Sequence, residues 1–389
     1  MLFTKTEYKG RLIKVQTEMQ KKGIDLLISS DPANMNYLSG YDAHSFYMPQ
    51  CLLIHIKEEE PICFVREQDA GGAFIKTYLN EKNIIKYPEK YIHAPPAHPY
   101  EFLVKIIKDR KWDNLSIALE KDCHYFTATC CETIVNGLPN AKIKDAEFLV
   151  NWVRCIKSDT EIELMRTAAK IAENGMKTAI NHIKPGVRQC DAVAEIQRSL
   201  ISGTLQFGGD YAGIVPMLPT GKGTSASHLT WTEEKFIKNE ATIIELAGVY
   251  KKYHCPMART ILLGEADQKK IDTMKATNEA LDEGISEVKP GKTCDEVAQK
   301  FWKVLDKYKI EKSSRTGYSI GIGYPPDWGE HTLNIQKGDK TILQPNVTFH
   351  MIAVMQFGNW GVESSEAIRV TEKGRELFCK FSRGLHIKG

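Results

Sequence analysis

One short pattern occurs twice in the chain, and this repeat constrains the fold more than any other feature. Residues 183–194 contain Lys-Pro-Gly followed by Cys-Asp, and residues 288–298 contain the same two groups. The two prolines lie 105 residues apart, at positions 290 and 185. In each copy we expect one helix to end at Lys-Pro-Gly and another to begin at Cys-Asp, with Asp191 and Asp295 as N-caps. A solenoid needs at least three units, so the repeat predicts two duplicated halves with a site between them.

The chain before the repeats shows alternating helical and strand-like segments. Helices are predicted at residues 8–22, 100–111 and 125–136, and apolar strands at 24–28, 50–56, 61–65 and 115–119. This alternation is typical of an α/β domain with helices packed on a sheet. Residues 158–161 then form a capping box that opens a long helix at 159–183. We therefore predict a boundary near residue 155, with domains at 1–155 and 156–389.

Composition narrows the class of protein. The 389 residues have a net charge of only +3, and no basic stripe of the kind that binds nucleic acid is present. No segment approaches the roughly 20 apolar residues that span a bilayer, and the early charges do not resemble a signal peptide. The ten cysteines are scattered without a Cys-x-x-Cys pair. We expect a cytoplasmic protein with reduced thiols that binds neither nucleic acid nor membrane.

Candidate chemical groups lie in four segments of the second domain, at residues 225–231, 243–260, 315–330 and 360–368. Glu245 interrupts an apolar strand, where a carboxylate is costly unless it is paired or functional. The alternative for Glu245 is an ion pair with Arg259 on the returning strand. His228 follows a loop of small residues and is a candidate acid or base near neutral pH. Glu363 and Glu366 are three positions apart, so they are predicted on opposite faces of a strand.

The third segment is rich in glycine and proline and carries Tyr318, Tyr324, Asp327 and Trp328. Its backbone is suited to approach a ligand closely, although a simple connecting loop explains the same composition. Cys255 lies in the second segment and is a further, weaker candidate for a nucleophile.

The four segments, in this order and with the Lys-Pro-Gly repeats, resemble the pita-bread family of creatinase, aminopeptidase P and methionine aminopeptidase. The resemblance covers nearly the whole chain. It implies a creatinase-like α/β N-terminal domain and an α+β pita-bread C-terminal domain with an internal pseudo-two-fold duplication. It also implies a homodimer in which the N-terminal domain contributes to the partner's site.

The chain departs from the family's pattern at the positions that bind metal ions. Family metallopeptidases bind two metal ions through two aspartates, one histidine and two glutamates. The matching positions here hold Glu245 for the first aspartate, Pro256 for the second and Tyr318 for the histidine. Proline has no side-chain donor atom, and neutral tyrosine is a poor replacement for imidazole. We therefore expect no metal and no other cofactor.

Among the metal-free members, creatinase shares a histidine that matches His228 but has a glutamate where this chain has Ala258. Its Ser-Phe-x-Arg-Pro stretch is similar to residues 45–49, where Met48 replaces the arginine. The ectoine hydrolase branch resembles the chain more fully, at residues 33–42, 66–69, 227–231, 245–248, 253–256 and 323–330. This resemblance implies hydrolytic opening of the cyclic amidine of ectoine, or of hydroxyectoine, to N-acetyl-2,4-diaminobutyrate.

The implied catalytic residues are His228 for proton transfer and Glu245, with Glu363 or Glu366, to hold the amidinium and steer water or attack directly. The implied substrate contacts are Phe46, Tyr47, His254, Tyr318, Tyr324, Asp327, Trp328 and Glu330. The substrate would be a small zwitterion. Three alternatives remain open: creatinase or another amidinohydrolase, an osmolyte lyase, and a non-catalytic pita-bread protein.

Overall fold

The computed structural model describes residues 2–265 and 267–388. The chain forms two compact units, Met1–Arg154 and Cys155–Gly389. Within the described residues, no helix combines the length and apolar character needed to cross a membrane.

The N-terminal unit is built around a six-stranded mixed sheet with the order β4-β3-β2-β1-β5-β6. Its strands are β1 (Leu26–Ser29), β2 (Cys51–His55), β3 (Ile62–Arg66), β4 (Ile84–Tyr87), β5 (Ser116–Leu119) and β6 (Lys142–Asp145). Its helices are α1 (Lys5–Lys22), α2 (Pro32–Ser39), α3 (Ala70–Lys76), α4 (Pro99–Asp109), α5 (Ala128–Gly137) and α6 (Leu149–Arg154). The predicted α/β alternation is confirmed, and the predicted strands and helices lie within a few residues of their positions.

The C-terminal unit combines long helices with a strongly hydrogen-bonded sheet. Its helices are α7 (Asp159–His182), α8 (Gln189–Ser202), α9 (Gln268–Glu287) and α10 (Cys294–Tyr308). Its strands are β7 (Ala241–Tyr250), β8 (Tyr253–Leu263), β9 (Gly317–Tyr324), β10 (Asp327–Asn334), β11 (Thr348–Phe357), β12 (Trp360–Val370), β13 (Arg375–Leu377) and β14 (Leu385–Lys388). The sheet order is β13-β12-β11-β9-β8-β14, with β10 paired to β9 and β7 paired to β8.

The predicted capping box is confirmed at the start of α7. The Ser158 hydroxyl accepts from the Glu161 backbone N–H, and the Glu161 carboxylate accepts from the Ser158 N–H. Helix α7 packs against β7 and β8, and α9 packs against β11 and β12. These long helices therefore bury part of the sheet of the C-terminal unit.

The duplicated sequence is also duplicated in structure. Gly186 and Gly291 both adopt left-handed backbone angles, with φ of +84° and +86°, which glycine tolerates best. Their N–H groups donate to Phe236 and Leu343, respectively, both at 2.9 Å. Equivalent helix starts follow: the N–H groups of Gln189 and Cys294 donate to Glu234 and Thr341.

The predicted N-caps of the repeats are wrong. The N-cap of α8 is Arg188 and that of α10 is Thr293, whose hydroxyl accepts from Glu296 N–H in a second capping box. Asp191 and Asp295 lie in the first turns instead. The two Lys-Pro-Gly turns lie 105 residues apart, and so do the first residues of the helices that follow them. The two Cys-Asp pairs lie 104 residues apart. The shared Cys-Asp letters therefore do not occupy equivalent positions.

Candidate active site

Two buried carboxylates face the same region of the C-terminal unit. Glu245 lies in β7 and Glu363 in β12, and each side chain is nearly inaccessible to solvent. The Glu245 carboxylate makes no hydrogen bond with the described residues, and the ring nitrogen Nδ1 of His350 lies 4.0 Å from its Oε1. Glu363 Oε1 also has no hydrogen-bond partner. Buried carboxylates without partners are rare, and such groups are typical of a site that awaits a cationic ligand.

Glu366 is separated from this pair by the pleat of β12. The register between β11 and β12 is uninterrupted, with Val354 opposite Glu363 and Met351 opposite Glu366. The prediction that the two glutamates lie on opposite faces is therefore confirmed. Glu366 contacts Arg259 Nη2 at 3.1 Å and Arg383 Nε at 3.2 Å. These ion pairs engage Glu366 in the core, so the geometry favours Glu363 for the catalytic role predicted for one of them.

The ion pair between Arg259 and Glu366 also bears on the alternative that Glu245 pairs with Arg259. Arg259 lies opposite Ile244 in the β7–β8 pairing and turns to Glu366, not to Glu245. An ion pair with Arg259 therefore does not account for the buried charge of Glu245.

The charges of Glu245 and Glu363 affect each other's protonation. Burial raises the pKa of Glu245 well above its ordinary value, and the neighbouring charges of Glu363 and Asp327 raise it further. Burial also raises the pKa of Glu363 to about 7, although the charge of Lys312 acts in the opposite direction. Two adjacent carboxylates in one buried site cannot both ionise easily. The pair therefore retains a proton near neutral pH until a cation neutralises its charge.

A chain of hydrogen bonds runs beside Glu245 and ends on Tyr318. The backbone N–H of Ala258 donates to Ser365 Oγ at 2.7 Å, and that oxygen lies 2.7 Å from His350 Nε2. The other ring nitrogen, His350 Nδ1, is 3.0 Å from the Tyr318 hydroxyl. The indole N–H of Trp328 donates to the same hydroxyl at 2.9 Å.

The available donors and acceptors determine where the protons of these hydrogen bonds lie. When Ser365 donates to His350 Nε2 and His350 Nδ1–H donates to Tyr318, every donor up to Tyr318 has an acceptor. The reverse order leaves the Ser365 hydroxyl proton without an acceptor among the described residues, and buried donors are seldom left unpaired. Burial lowers the pKa of His350 to about 3, so its ring is neutral. The Tyr318 O–H is thus left as an outward donor, next to Glu245.

Asp327 stays ionised near this cluster. Burial acts to raise its pKa, but a hydrogen bond from His331 and the backbone N–H groups of Gly329 and Trp328 hold the pKa at about 2. The distances are 2.9 Å from His331 Nε2, 2.9 Å from Gly329 N and 2.6 Å from Trp328 N. Asp327 therefore fixes the turn that carries Trp328 and adds negative charge near Glu245.

The residues present do not fit the two-metal centre that the family implies. In residues 2–265 and 267–388, no group of three or more His, Cys, Asp or Glu side chains is arranged to hold a metal ion. Pro256 offers no side-chain donor. Both nitrogens of the neighbouring His350 are engaged by Ser365 and Tyr318. Burial also raises the pKa of Tyr318, so its phenol stays neutral.

His228 is exposed, whereas the two glutamates are buried. It occupies an exposed turn after the 3-10 helix Gly221–Ser225, with a left-handed φ of +64°. The adjoining Ser227 Oγ accepts from the Gln356 side chain at 3.1 Å, near the end of β11. The neighbouring Leu229 accepts from Leu218 N–H, beside the Met217–Glu245 backbone pair. The backbone thus links this turn to the strand of Glu245, but His228 makes no hydrogen bond with the described residues.

Three predicted substrate contacts are engaged elsewhere. His254 Nε2 accepts from Gly213 N–H and its Nδ1 lies 2.8 Å from Lys252 O, so no ring nitrogen remains for a substrate. Glu330 forms a fully buried ion pair with Lys157 at 2.6 Å. Tyr324 is buried, with Lys252 Nζ 5.8 Å from its ring centre. The structure therefore argues against direct substrate contact by His254 and Glu330 and favours a supporting role.

Phe46 and Tyr47 belong to the N-terminal unit. Phe46 is buried against His44 and Tyr125, whereas Tyr47 is 65% exposed. Their contribution to a partner's site stays a prediction. Cys255 is fully buried 3.6 Å from Cys379, and burial raises the pKa of its thiol, which disfavours a nucleophilic role.

His350 and Lys312 were not predicted from the sequence as site residues. His350 lies in an apolar strand, as Glu245 does, so the same signal of a polar residue in a buried strand was available. Lys312 lies in an exposed-looking loop before β9, and nothing in its sequence neighbourhood marks it. Its proximity to Glu363 depends on strand pairing across 51 residues, from position 312 to position 363.

Comparison with known proteins supports this assignment of fold and family. The model of the creatinase/prolidase N-terminal domain matches residues 11–156, and that of metallopeptidase family M24 matches residues 163–372. The ectoine hydrolase of Halomonas elongata is 43% identical, over 99% of this chain and 98% of its own. The creatinase of a Bacillus species is 21% identical, over 98% of this chain and 92% of its own.

Among solved structures, a dipeptidase from Mycobacterium ulcerans superposes with a TM-score of 0.83 at 16% identity, covering 99% of both chains. This confirms the predicted fold class, and the sequence comparisons confirm the predicted resemblance. The protein is a hydrolase by its relationship to these enzymes. The chain belongs to metallopeptidase family M24, in the group that carries a creatinase/prolidase N-terminal domain.

Proposed function

We propose that the chain is a metal-independent hydrolase that opens the cyclic amidine ring of ectoine to give N-acetyl-2,4-diaminobutyrate. The observation that carries the proposal is the buried Glu245–Glu363 pair, whose carboxylates make no hydrogen bond with the described residues. The 43% identity to an ectoine hydrolase over nearly the whole chain supports the choice of substrate.

The carboxylate pair suits an amidinium ion. An amidinium is planar, carries one delocalised positive charge and presents N–H donors to two acceptors. In the absence of substrate the pair retains a proton, because burial and mutual repulsion disfavour a double negative charge. Binding of the cation compensates that charge and releases the proton. The pair therefore selects cations that also satisfy its hydrogen bonds.

Hydrolysis then adds one water molecule across a ring C–N bond. Glu245 accepts a proton from the attacking water as its oxygen bonds to the amidine carbon. The Tyr318 O–H donates a hydrogen bond to that oxygen, and the neutral His350 and Trp328 hold Tyr318 in place. The ring C–N bond breaks as the departing nitrogen takes a proton from His228. The proton still on the water oxygen then passes to His228, and that oxygen becomes the acetyl oxygen. The proton held by Glu245 passes through solvent to the product amine, which leaves as an ammonium. Trp328 and Asp327 border the same site.

Attack by the Glu245 carboxylate itself is a second route and gives the same product through a covalent intermediate. Single turnover in H₂¹⁸O with excess enzyme distinguishes the two routes. Direct attack by water places ¹⁸O in the acetyl group of the product. In the covalent route, water attacks the glutamyl carbonyl carbon and breaks its bond to the oxygen shared with the substrate, so the first product carries an ordinary oxygen from the carboxylate.

The experiment that tests the function is a substrate panel of ectoine, hydroxyectoine and creatine, with products identified by mass spectrometry. We expect ectoine to gain 18 mass units and creatine to remain intact. The Glu245→Gln variant serves as the matched control, because it keeps the side-chain shape and removes the charge.

Each of the other possible results of this panel would favour a different function. Turnover of creatine alone would favour a creatinase, and an unsaturated product without added water would favour a lyase. Binding of ectoine without any product would favour a non-catalytic protein.

A further inference from the structure

The proposed substrate carries a carboxylate as well as an amidinium, and this second charge poses an electrostatic problem. Glu245, Glu363 and Asp327 give the site negative charge, which attracts the amidinium and repels the carboxylate. A zwitterion therefore binds well only when a cation stands beyond the acidic pair. The inference that follows rests on the proposed function.

Most buried cations of the C-terminal unit are already engaged by acidic side chains. Among the described residues, Arg259 pairs with Glu366, Lys157 with Glu330, and Lys252 Nζ with Asp210 at 2.7 Å. Their charges are compensated within the fold, so they offer little attraction to a substrate carboxylate.

Lys312 is half-buried and Arg315 is exposed, and the described hydrogen-bond partners of both side chains are neutral. Lys312 Nζ donates to Ser314 Oγ at 2.6 Å and to the Arg315 carbonyl at 3.1 Å. Arg315 donates to the Asn334 side-chain oxygen, and its guanidinium lies 4.8 Å from the centre of the Tyr318 ring. Neither cation forms an ion pair with a carboxylate of the described residues, and Arg315 lies close to Tyr318.

Strand register brings the start of β9, just after Lys312 and Arg315, towards the part of β11 that pairs with Glu363. Gly317 lies opposite Met351, and Thr316 continues the pairing through two hydrogen bonds with Ile352. Thr316 thus extends the pairing by one residue along β11, towards Val354, which pairs with Glu363 in β12. The charge of Lys312 acts on the pKa of Glu363, in accord with this placement.

The backbone of the segment is also fixed. The indole N–H of Trp302, in α10, donates to the Lys312 carbonyl at 2.9 Å. A cation on an anchored segment loses less freedom on binding a ligand than one on a mobile loop. The lysine is therefore prepared for a carboxylate by contacts that do not involve its charge.

We propose that Lys312, assisted by Arg315, binds the carboxylate of the substrate and so determines specificity for amidines that carry an acid. The acidic pair holds one end of the zwitterion and this basic pair holds the other. The C-terminal unit thereby contains groups for both charges of its substrate.

The test compares ectoine with 2-methyl-1,4,5,6-tetrahydropyrimidine, which is the same ring without the carboxylate. We expect Lys312→Gln to raise KM for ectoine about tenfold or more with little change in kcat, because the lost contact holds the ground state and the transition state alike. KM for the ring without the carboxylate is expected to stay unchanged. Arg315→Gln is expected to give a smaller change in the same direction. Lys303→Gln, an exposed lysine on α10, is the matched control.

The outcomes separate the two levels of the argument. No turnover of ectoine by the wild-type chain would overturn the proposed function and this assignment with it. Turnover by the wild type with an unaltered KM in Lys312→Gln would overturn the carboxylate contact alone. Equal losses for both compounds would also overturn it, because they would show that Lys312 acts on Glu363 and not on the substrate. Circular dichroism of each variant verifies that the fold is intact.

Discussion

Replacement of Glu363 by glutamine is expected to stabilise the folded chain at alkaline pH while it removes activity. The pKa of Glu363 is about 7 in the folded chain, compared with an ordinary value of 4.5. The folded state therefore binds more protons than the unfolded state between these two pH values. Because the folded state binds more protons, the free energy of unfolding falls as the pH rises from 4.5 to 7.

The magnitude follows from the difference between the two pKa values. A difference of about 2.5 units at 1.36 kcal/mol per unit gives an upper limit of about 3 kcal/mol lost between pH 4.5 and 7. Glutamine resembles the protonated glutamate and cannot ionise. The free energy of unfolding of Glu363→Gln is thus expected to exceed that of the wild type by about 1–3 kcal/mol at pH 8 and to match it near pH 4.5.

Urea unfolding followed by tryptophan fluorescence measures this difference at pH 4.5 and 8. Four of the six tryptophans lie in the C-terminal unit, at positions 231, 302, 328 and 360, so the signal reports on the unit that contains Glu363. Glu283→Gln, on the exposed side of α9, is the control. A variant less stable than the wild type at pH 8, or a difference that does not depend on pH, would refute the reasoning.

The remaining predictions concern catalysis. His228→Ala is expected to lower kcat about 100-fold, the scale of lost acid–base catalysis, and near-normal turnover would remove His228 from this role. The pH profile of kcat/KM is expected to be bell-shaped, because Glu363 with a pKa of about 7 must ionise to hold the amidinium and Lys312, whose pKa burial lowers to about 8, must stay protonated. A flat profile from pH 6 to 9 would contradict that assignment. His350→Phe is expected to lower kcat at least tenfold and the free energy of unfolding by about 1–3 kcal/mol, since it leaves Ser365 and Tyr318 without their partner; unchanged kinetics would exclude a positioning role.

Sequence patterns predicted the fold well where local physics determines it. The capping box at Ser158 and Glu161 depends on a few adjacent residues, and it is present. The N-caps of the repeats were predicted wrongly, because identical Cys-Asp letters suggested an equivalence that the hydrogen bonds of Thr293 do not support. Local identity is a poor guide where two copies differ by one position.

The site was predictable only in part, because its contacts join residues far apart in sequence. Period-two alternation correctly separated Glu363 from Glu366. By contrast, the ion pair of Glu330 depends on Lys157, which lies 173 positions away. The role of Lys312 depends on the β9–β11–β12 register, which no single segment reveals.

The central claim is that the protein's own side chains perform the hydrolysis. The most direct test measures turnover of ectoine after exhaustive chelation and dialysis, with the metal content of the same sample determined by mass spectrometry. We predict full activity without a stoichiometric metal and no gain on addition of Mn²⁺ or Fe²⁺. Loss of activity that either ion restores would contradict the account.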